Sequence, residues 1–554
     1  MAQAGENDVP QRRPTLALFR HPVFRALWIA TLVSNLGGLI QGVGAGWLMA
    51  TISPSQDMVA LVQASTTLPV MIFSLASGAL ADNFDRRRIM LAAQLFMLAV
   101  SLLLAFAAFA GLITPWLLLC FTFLIGCGTA LHNPSWQASV GDIVPREDVP
   151  AAISLNSMSF NLMRSIGPAF GGAIVAVAGA AVAFAFNAVS YLALIGAIWF
   201  WKPEPRPSGL PREHFGSAVM AGLRYVSMSP NLIKVMFRGF LFGTFAISVL
   251  ALLPVITRDM LNGDAFSYGV LLGCFGLGAI GGALANGRVR EVLANETIVR
   301  FAFAGFAACL GVLAVSRSIW LDCLVLLPAG ACWVMALSLF NVTVQLSTPR
   351  WVVGRALALY QTATFGGMAL GSWIWGVISE GQGPEVALVL SSFAMLIGLA
   401  VGLRQPLPPF NDLNLDPLNR FSEPELSLDI RSRSGPIMIM VDYQIAQEDV
   451  PAFLAAMTDR RRIRLRDGAQ QWALLRDLET PDIWTETYHV PTWVEYIRHN
   501  QRRTQADAEV TERLLALHRG SEKPRVHRMI ERQTVPRQDD MPLKPQHHDH
   551  HPIP

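Results

Sequence analysis

The first 404 residues of this chain contain few charged side chains. They hold 40 of the 83 lysine, arginine, aspartate and glutamate residues, whereas the last 150 positions hold 43. A soluble domain is about one-quarter charged, so the first part does not have the composition of a soluble domain, and the last part does not have that of a membrane segment. Their net charges are +6 and −3, and neither balance indicates a nucleic-acid partner.

Cysteine is also scarce. The chain has six cysteines among 554 residues, and no two of them have the spacing of a metal or redox pair. We therefore expect no metal site and no cofactor. The first 20 residues are polar and lack a short apolar stretch before a cleavage site, so we expect the first hydrophobic helix to remain in the protein.

Long charge-free stretches recur through the first part. A membrane-spanning helix needs about 20 mostly apolar residues, and counting such stretches predicts twelve spans. The predicted organisation is an N-terminal tail over 1–20, six helices over 21–202, a central loop over 203–231 and six helices over 232–404. The predicted fold of this part is an all-α polytopic membrane protein.

Basic residues are concentrated in the loops on one side of the predicted helices. Arg86, Arg146, Lys202 and Arg350 are among them, whereas the other side offers only Arg258 and Arg317. Because cytoplasmic loops carry the excess of lysine and arginine, we expect both termini to be cytoplasmic.

The chain matches itself at an offset of 204 residues. The matching positions include Gly78 and Gly282, Gly126 and Gly330, Gly167 and Gly371, and the Pro-Arg pairs 145–146 and 349–350. Since 204 is close to half of 404, the pattern predicts two six-helix halves in the same orientation. Parallel halves are typical of transporters that rock about a central site.

The loop between the second and third spans carries a compact motif. It resembles the signature of the major facilitator superfamily in its glycine, its acid and two of its arginines, and it departs from that signature at Asn83 and Asp85. The resemblance implies a gating motif formed by Gly78, Asp82, Arg86 and Arg87, in which the glycine lets two helices approach. The alternative is a basic cluster that only determines orientation.

The fifth span contains the sequence Gly-Pro-x-x-Gly-Gly. It resembles the fifth-helix motif of superfamily antiporters, with Met163 where another glycine is usual. Glycines four residues apart allow close helix crossing, and proline bends a helix. The resemblance implies an exporter, with structural packing as the alternative. The motif residues are Gly167, Pro168, Gly171 and Gly172.

A charged residue inside a span is costly, at about 2.5–3.5 kcal/mol on insertion scales, and usually faces a wet cavity. Arg164 in the fifth span and Arg238 in the seventh are such residues. Polar residues in other spans are further candidates, although each is more often an interhelical hydrogen-bonding group. The predicted substrate cavity comprises Arg164, Asn156, Asn161, Asn35, Gln41, Asn133, Trp136, Gln137, Arg238, Asn341, Gln345 and Gln361.

The resemblance also implies protons as the coupling ion. Proton coupling usually needs a titratable acid near the middle of the membrane. The spans supply Asp142 and Asp322, each near a helix end. The sequence therefore identifies no proton carrier.

The last 150 residues have the composition of a soluble module. Residues 405–434 form a predicted linker, and 435–534 show the order β-α-β-β-α-β, which is typical of a ferredoxin-like α+β domain. In the segments Arg466–Trp472 and Tyr488–Trp493 this domain resembles the dimeric α+β-barrel domain of the antibiotic-biosynthesis-monooxygenase type. We predict a dimerisation or regulatory module, hence a homodimer through this domain, and no enzyme. Residues 535–554 form a predicted disordered tail that contains histidines.

A superfamily transporter followed by such a domain resembles the transmembrane secretion effector family, which includes transporters of the enterobactin-exporter type. The resemblance implies export of a small amphiphilic molecule, of the drug or siderophore class, across a bacterial cytoplasmic membrane by alternating access. Its partners are then the lipid bilayer, a small substrate and protons. The alternatives are an importer of a small nutrient and a membrane-anchored, cofactor-free oxygenase.

Overall fold

The computed structural model describes residues 15–145, 148–202, 215–407, 414–418 and 420–531. The chain divides into two compact units. A helical unit comprises 1–219, 231–344 and 357–409, and a carboxyl-terminal unit comprises 220–230, 345–356 and 410–554. The predicted tail over 535–554 and most of the predicted tail over 1–20 lie outside the described residues, and the other predicted domain boundaries stay predictions.

Six long helices form the first half of the helical unit. They are α1 (Pro22–Ile52), α2 (Gln56–Asn83), α3 (Arg86–Phe109), α4 (Pro115–Ile143), α5 (Val149–Ala178) and α6 (Ala180–Phe200). Local sequence sets several of these limits. The Asp85 side chain accepts from the Arg87 amide and begins α3, and the Thr114 side chain accepts from the Leu117 amide and begins α4. Gly179, at φ +83°, separates α5 from α6.

The second half contains six more long helices, which follow a short helix α7 (Phe215–Ser227). They are α8 (Pro230–Val255), α9 (Ala265–Val292), α10 (Asn295–Val315), α11 (Ile319–Leu346), α12 (Val353–Gln382) and α13 (Pro384–Arg404). The fifth and seventh predicted spans are thus α5 and α8. Among the described residues ten helices are long and apolar enough to cross a membrane, and α5 and α12 are not among those ten.

Helix α7 lies where the sequence predicted only a loop. Its buried residues Ala218, Ala221 and Tyr225 recur at helical spacing, which gives the 13-residue segment one apolar face. It is too short to span a membrane, so the prediction of two six-helix halves is unaffected by it.

The two halves repeat the same glycine contacts. A Cβ at Gly126 on α4 would lie within 3 Å of Pro69 on α2, and one at Gly330 on α11 would meet the backbone of Phe275 on α9. Likewise Gly167 on α5 packs against Leu39 on α1, and its counterpart Gly371 on α12 packs against α8. Equivalent helices therefore approach closely at equivalent positions, as the 204-residue offset predicts.

The carboxyl-terminal unit contains a four-stranded antiparallel sheet in the order β2-β3-β1-β4. Its elements are β1 (Ile437–Gln444), α14 (Val450–Asp467), β2 (Gln470–Arg476), β3 (Ile483–Val490), α15 (Trp493–Gln501), α16 (Gln505–Leu517) and β4 (Arg525–Ile530). Buried Ile439, Phe453, Tyr488 and Leu514 belong to one apolar core. The predicted ferredoxin-like α+β domain is confirmed.

The second helix of the predicted β-α-β-β-α-β order is two helices, α15 and α16, in the structure. Thr504 and Asp507 form a capping box, in which each side chain accepts from the other residue's backbone amide. Such a box starts a new helix, and α15 therefore ends before it.

Candidate functional site

The helical unit has two ends, which the loops define. The basic end is where α2 meets α3, α4 meets α5 and α12 begins. The opposite end is where α1 meets α2, α8 meets α9 and α12 meets α13. Candidate site residues lie at both ends and between them.

At the basic end, two arginines of the predicted gating motif join three helices. Arg86 Nη1 donates to Asp142 Oδ2 at 2.8 Å and to the Ala138 carbonyl at 2.9 Å, both on α4. Arg87 donates from Nε and Nη2 to the last carbonyls of α6, at 3.1 and 2.5 Å. Asp142 is thereby engaged in an ion pair. Asp85, one of the two departures from the family pattern, caps α3.

The other two residues of the predicted gating motif are Gly78 and Asp82. Gly78 is half-buried, and a Cβ built on it would meet nothing within 4 Å among the described residues. The predicted close helix approach at Gly78 is therefore not supported in this conformation. The side chain of Asp82 lies outside the described residues.

The glycine motif of α5 contacts two different helices. Buried Gly167 and Gly171 pack against Leu39, Ile40 and Val43 on α1. Gly172 faces α9, where an added Cβ would lie 2.7 Å from the Ala265 carbonyl oxygen and 2.8 Å from the Gly269 Cα. The motif thus joins α5 both to its own half and to the other half.

At the opposite end, polar contacts join the two halves. Arg258 donates to the Ala50 and Ser53 carbonyls at the end of α1. The Gln56 amide donates to Glu380 Oε2 at 2.5 Å, and its side chain accepts from Ser379 Oγ at 2.5 Å. Trp47 and Tyr268 stack beside them with ring centroids 6.2 Å apart. We call Arg258, Gln56, Ser379 and Glu380 the closing cluster.

Gln41 lies in a buried polar network within the first half. Its side-chain oxygen accepts from Ser101 Oγ at 3.1 Å and from Asn187 Nδ2, and Asn187 also donates to Tyr191 Oη at 3.1 Å. The network links α1, α3 and α6. Asn187 is not among the predicted cavity residues, although an amide within the charge-free stretch 165–201 is a signal that could have identified it.

Arg238 is fully buried in an ion pair. Its Nη1 lies 2.5 Å from Glu296 Oε2, and Glu296 also accepts from Arg300 Nε at 2.9 Å and from the Leu407 amide. The Arg238 guanidinium lies over the Phe303 ring, 5.7 Å from its centroid. This geometry favours a structural ion pair between α8 and α10 over a place on a cavity wall.

Arg164 has a different environment. It is half-buried on α5, and among the described residues its guanidinium has no hydrogen bond or ion pair. Asn156, two turns earlier, is also half-buried. Asn161 lies between them, and its side chain is outside the described residues. Of the two predicted cavity arginines, Arg164 is the one whose charge the described parts of the surrounding helices leave unpaired.

The remaining cavity candidates are distributed over several helices. Asn133 and Gln137 are exposed and share one face of α4, whereas Trp136 packs in an apolar cluster that includes Leu27 and Met90. Half-buried candidates are Asn35, Asn341 and Gln361, and Gln345 is exposed. The contacts of the described residues do not group these side chains around one common cavity, so their place in a cavity stays a prediction.

Asp322 is the acid that the structure singles out. It lies in the first turn of α11 and is 0% exposed, and neither carboxylate oxygen has a hydrogen-bond partner within the described part of the chain. A buried ionised carboxylate without a partner is strongly unfavourable. Its burial sets Asp322 apart from Asp142 and Glu296, two acids of the helical unit that form ion pairs with arginines.

The carboxyl-terminal unit includes two segments from the helical part of the sequence. Residues 220–230 contain the end of α7, and 345–356 connect α11 to α12. Arg466 of α14 lies over the Tyr225 ring at 5.4 Å, and Arg502 lies over the Trp351 ring at 4.5 Å. Arg224 Nε also donates to the Arg466 carbonyl at 3.3 Å. The ferredoxin-like domain is thus packed against both segments.

A sequence profile for the transmembrane secretion effector family matches residues 13–535 of the chain. The chain belongs to this family. Because the match spans both the helical part and the ferredoxin-like domain, the prediction of a superfamily transporter with an appended α+β domain is confirmed.

Named relatives of this family member are exporters. Enterobactin exporter EntS of Citrobacter koseri is 25% identical over 412 residues, which are 71% of this chain and 95% of that protein. Enterobactin exporter EntS of Shigella flexneri is 25% identical over 388 residues, which are 68% of this chain and 90% of that protein.

Solved structures support the fold. A bacterial homologue of the human lysosomal transporter Spinster, inward-facing and unoccupied, matches with a TM-score of 0.55 at 14% identity and covers 69% of this chain and 96% of its own. A mutant form of the nucleoside transporter NupG matches with a TM-score of 0.57 at 10% identity, over 69% and 99%. The family match and the exporter relatives, together with this fold, identify the chain as a multi-pass membrane transporter for a small molecule, and the alternative of an anchored oxygenase is not supported.

Proposed function

We propose that this chain exports a small amphiphilic molecule of the siderophore or drug class by alternating access. The observation that carries the proposal is the closing cluster, which joins two equivalent halves at one end of the helical unit. Reversible contacts of this kind are what a rocking transporter makes and breaks. The exporter names of the relatives favour export.

The proposed orientation places the basic end in the cytoplasm of a bacterial cell, with both termini there. The excess of arginine at that end supports it. The state described here, with the opposite end closed, is then the one that receives substrate from the cytoplasm. Arg164 is the proposed cavity residue because its charge is unpaired on the described helices.

Export is tested by efflux from energised cells. The probes are enterobactin and a fluorescent lipophilic cation, compared among wild type, Arg164→Ala and Arg317→Ala at matched membrane expression. Arg317 is an exposed arginine of the opposite end, paired with Glu385, and is the control. We expect efflux of at least one probe to be lost in Arg164→Ala and kept in the control. Accumulation of a labelled nutrient instead of efflux would favour the importer alternative.

We propose Asp322 as the proton carrier. It is a fully buried acid without a hydrogen-bond partner among the described residues, and intramembrane acids of this kind mark proton paths. In proteoliposomes with an imposed pH gradient, Asp322→Asn is expected to abolish gradient-driven transport while retaining exchange of substrate for substrate. Glu385→Gln, which changes an exposed acid at the same end, is the control. Gradient-driven transport by Asp322→Asn at the wild-type rate would contradict this assignment.

We further propose that the ferredoxin-like domain regulates transport through residues 220–230 and 345–356. Both segments lead directly into long helices of the helical unit, α8 and α12, so a change in how the domain holds the segments reaches those helices through the chain. A homodimer through the domain is the alternative role, and the mass of the detergent-solubilised protein tests it.

A further inference from the structure

A cavity of about 290 Å³ lies where three segments of the carboxyl-terminal unit meet. The segments are the connection between α11 and α12, a stretch of the predicted linker, and the junction of α15 with α16. The lining includes Arg350, Trp351, Leu415, Pro417 and Arg502. Small-molecule sites are clefts of about 300 Å³ or more, with mainly apolar walls and a few polar groups. This cavity is at the lower end of that range, and its described lining contains none of the residues predicted for the transport cavity.

Backbone hydrogen bonds hold the linker at the edge of this cavity. The Gln505 amide donates to the Asp416 carbonyl at 3.0 Å, and the Ala506 amide donates to the Asn414 carbonyl at 2.9 Å. Gln505 and Ala506 are the first two residues of α16, and the first amides of a helix have no acceptor within it. Because the linker supplies these acceptors, it is ordered before a ligand arrives. An ordered wall lowers the entropic cost of binding.

The walls of the cavity are mainly apolar. Leu415 and Pro417 come from the linker, and Pro349 and Trp351 come from the connection between α11 and α12. The Arg502 guanidinium lies over the Trp351 ring, 4.5 Å from its centroid, and this contact holds the ring in position. Trp351 is half-buried and lines the cavity, so part of its surface is accessible to a ligand. An aromatic ligand fits such a wall, because aromatic rings pack on one another by stacking or by edge contacts.

The charge of the cavity favours an anion. Its described lining contains two arginines and no acidic residue. Arg502 is buried and fixed, because its Nη1 donates to the Asp467 carbonyl at 2.9 Å and its Nη2 lies 3.8 Å from Glu495 Oε2. Arg350 is exposed, and its Nη2 lies 3.9 Å from Oδ1 of Asp416, which is also exposed. An exposed ion pair contributes little, so Arg350 can exchange Asp416 for the carboxylate of a ligand, which arginine binds through two parallel N–H donors.

We propose that this cavity binds a small aromatic carboxylate, with its carboxylate at Arg350 and its ring against Trp351 and the apolar linker residues. The volume limits the ligand to one or two rings. The bound molecule contacts residues 349–351, which lead into α12, as well as the linker and the start of α16. The effect of the ligand on transport rests on the regulation proposed above, whereas its binding does not.

The test is calorimetric titration of the full-length protein in detergent with benzoate and phenylacetate. Benzamide and phenylacetamide have the same shapes without the charge. We expect at least one carboxylate to bind and its amide not to bind. Arg350→Gln is expected to weaken binding about tenfold, and Leu415→Trp, which fills the cavity, is expected to abolish it. Arg513→Gln is the matched control, because it breaks another exposed arginine–aspartate pair of the same domain, with Asp459, and leaves binding unchanged.

Two further variants determine the sign of the ligand charge and the place of binding. Asp416→Asn removes the acid that competes for Arg350 and is expected to strengthen carboxylate binding by up to about fivefold. Arg164→Ala changes the proposed transport cavity and is expected to leave this binding unchanged. Binding that is lost in Arg164→Ala and kept in Arg350→Gln would overturn this proposal without contradicting the proposed function. Binding that depends on Arg350 in a protein that exports neither efflux probe would contradict the proposed function alone.

Hydrogen exchange provides a second measurement that locates the ligand. A saturating carboxylate is expected to slow exchange of the Gln505 and Ala506 amides, whose acceptors lie in the linker, in wild type and not in Leu415→Trp. Unchanged exchange of these amides in wild type would overturn the proposal. So would the absence of carboxylate binding to wild type, equal binding of the amide compounds, or binding that Arg350→Gln and Leu415→Trp leave intact.

Discussion

The crossing of α5 and α9 at Gly172 and Gly269 offers a direct way to perturb the closed state. The two glycines lie against each other without side chains, and a Cβ on Gly172 would lie 2.7 Å from the Ala265 carbonyl oxygen. The obstacle is backbone, which cannot rotate away as a flexible side chain does. Gly172→Ala must therefore push α5 and α9 apart where the two halves meet.

The size of the effect follows from packing. Inserting a methyl group into a well-packed contact costs about 1–3 kcal/mol. If the strain falls on the state in which the opposite end is closed, the open population rises by a factor of about 5 to 150. Gly281→Ala on α9 is the control, because a Cβ there meets nothing within 4 Å in the described part of the chain. Both variants replace glycine by alanine within a helix, so the gain in helix propensity is the same and cancels when the two are compared.

A single reactive cysteine reports the opening. In a variant without the six native cysteines, Ser53→Cys places a thiol at a buried position of the opposite end, where the Ser53 carbonyl accepts from Arg258. The alkylation rate of this thiol follows the open population when opening is rare. We expect Gly172→Ala to raise the alkylation rate by a factor of about 5 to 150, and Gly281→Ala to leave it unchanged.

Two results would refute the reasoning. An unchanged alkylation rate in Gly172→Ala would mean that the strain does not act on the closed state. An equal rise in Gly281→Ala would mean that any alanine in these helices loosens the bundle. In either case the α5–α9 crossing would be a passive contact.

Three further predictions concern the carboxyl-terminal unit. Fully buried Glu486 on β3 forms ion pairs with Arg464 at 3.0 Å and with Arg460 at 3.7 Å, so Glu486→Gln leaves both arginines without their counter-ion and is expected to destabilise the domain by about 3–5 kcal/mol. The control, Asp459→Asn, breaks an exposed pair with Arg513 and is expected to cost less than about 1 kcal/mol; denaturant unfolding measures both. The pKa of Glu486 is lowered from 4.5 to about 2. The contribution of the Glu486 ion pairs to stability is therefore complete above pH 4.5 and is lost as the pH falls towards 2. Circular dichroism between these pH values measures the loss of folded domain. Trp351→Ala removes the ring under Arg502 and should speed hydrogen exchange in α15, whereas exposed Trp320→Ala should not.

The helices and the duplication were predictable because they follow from local composition. Apolar stretches of sufficient length predict spans whatever their partners, and an offset of 204 residues predicts equivalent contacts at Gly126 and Gly330 without any knowledge of packing. The break at Thr504 was not predictable because Thr492 already offers a start signal and no glycine or proline interrupts the residues between them.

The partners of individual side chains were not predictable in this way. The motif on α5 was recognisable from its spacing, but that Gly172 faces α9 and Gly171 faces α1 depends on how the helices cross. The sequence shows only that Asp322 lies near a helix end. Only the structure shows that burial there is complete and that both oxygens lack a partner among the residues described.

Arg238 and Arg164 show why the role of a charge in an apolar span cannot be assigned from the sequence alone. In sequence both interrupt an apolar span, and inserting either costs about 2.5–3.5 kcal/mol. Glu296, which lies 58 residues further along the chain, compensates Arg238 within the fold. The described helices offer Arg164 no such partner, which is why Arg164, and not Arg238, is the proposed cavity residue. A transporter gains affinity for an anionic or polar group by leaving that charge available.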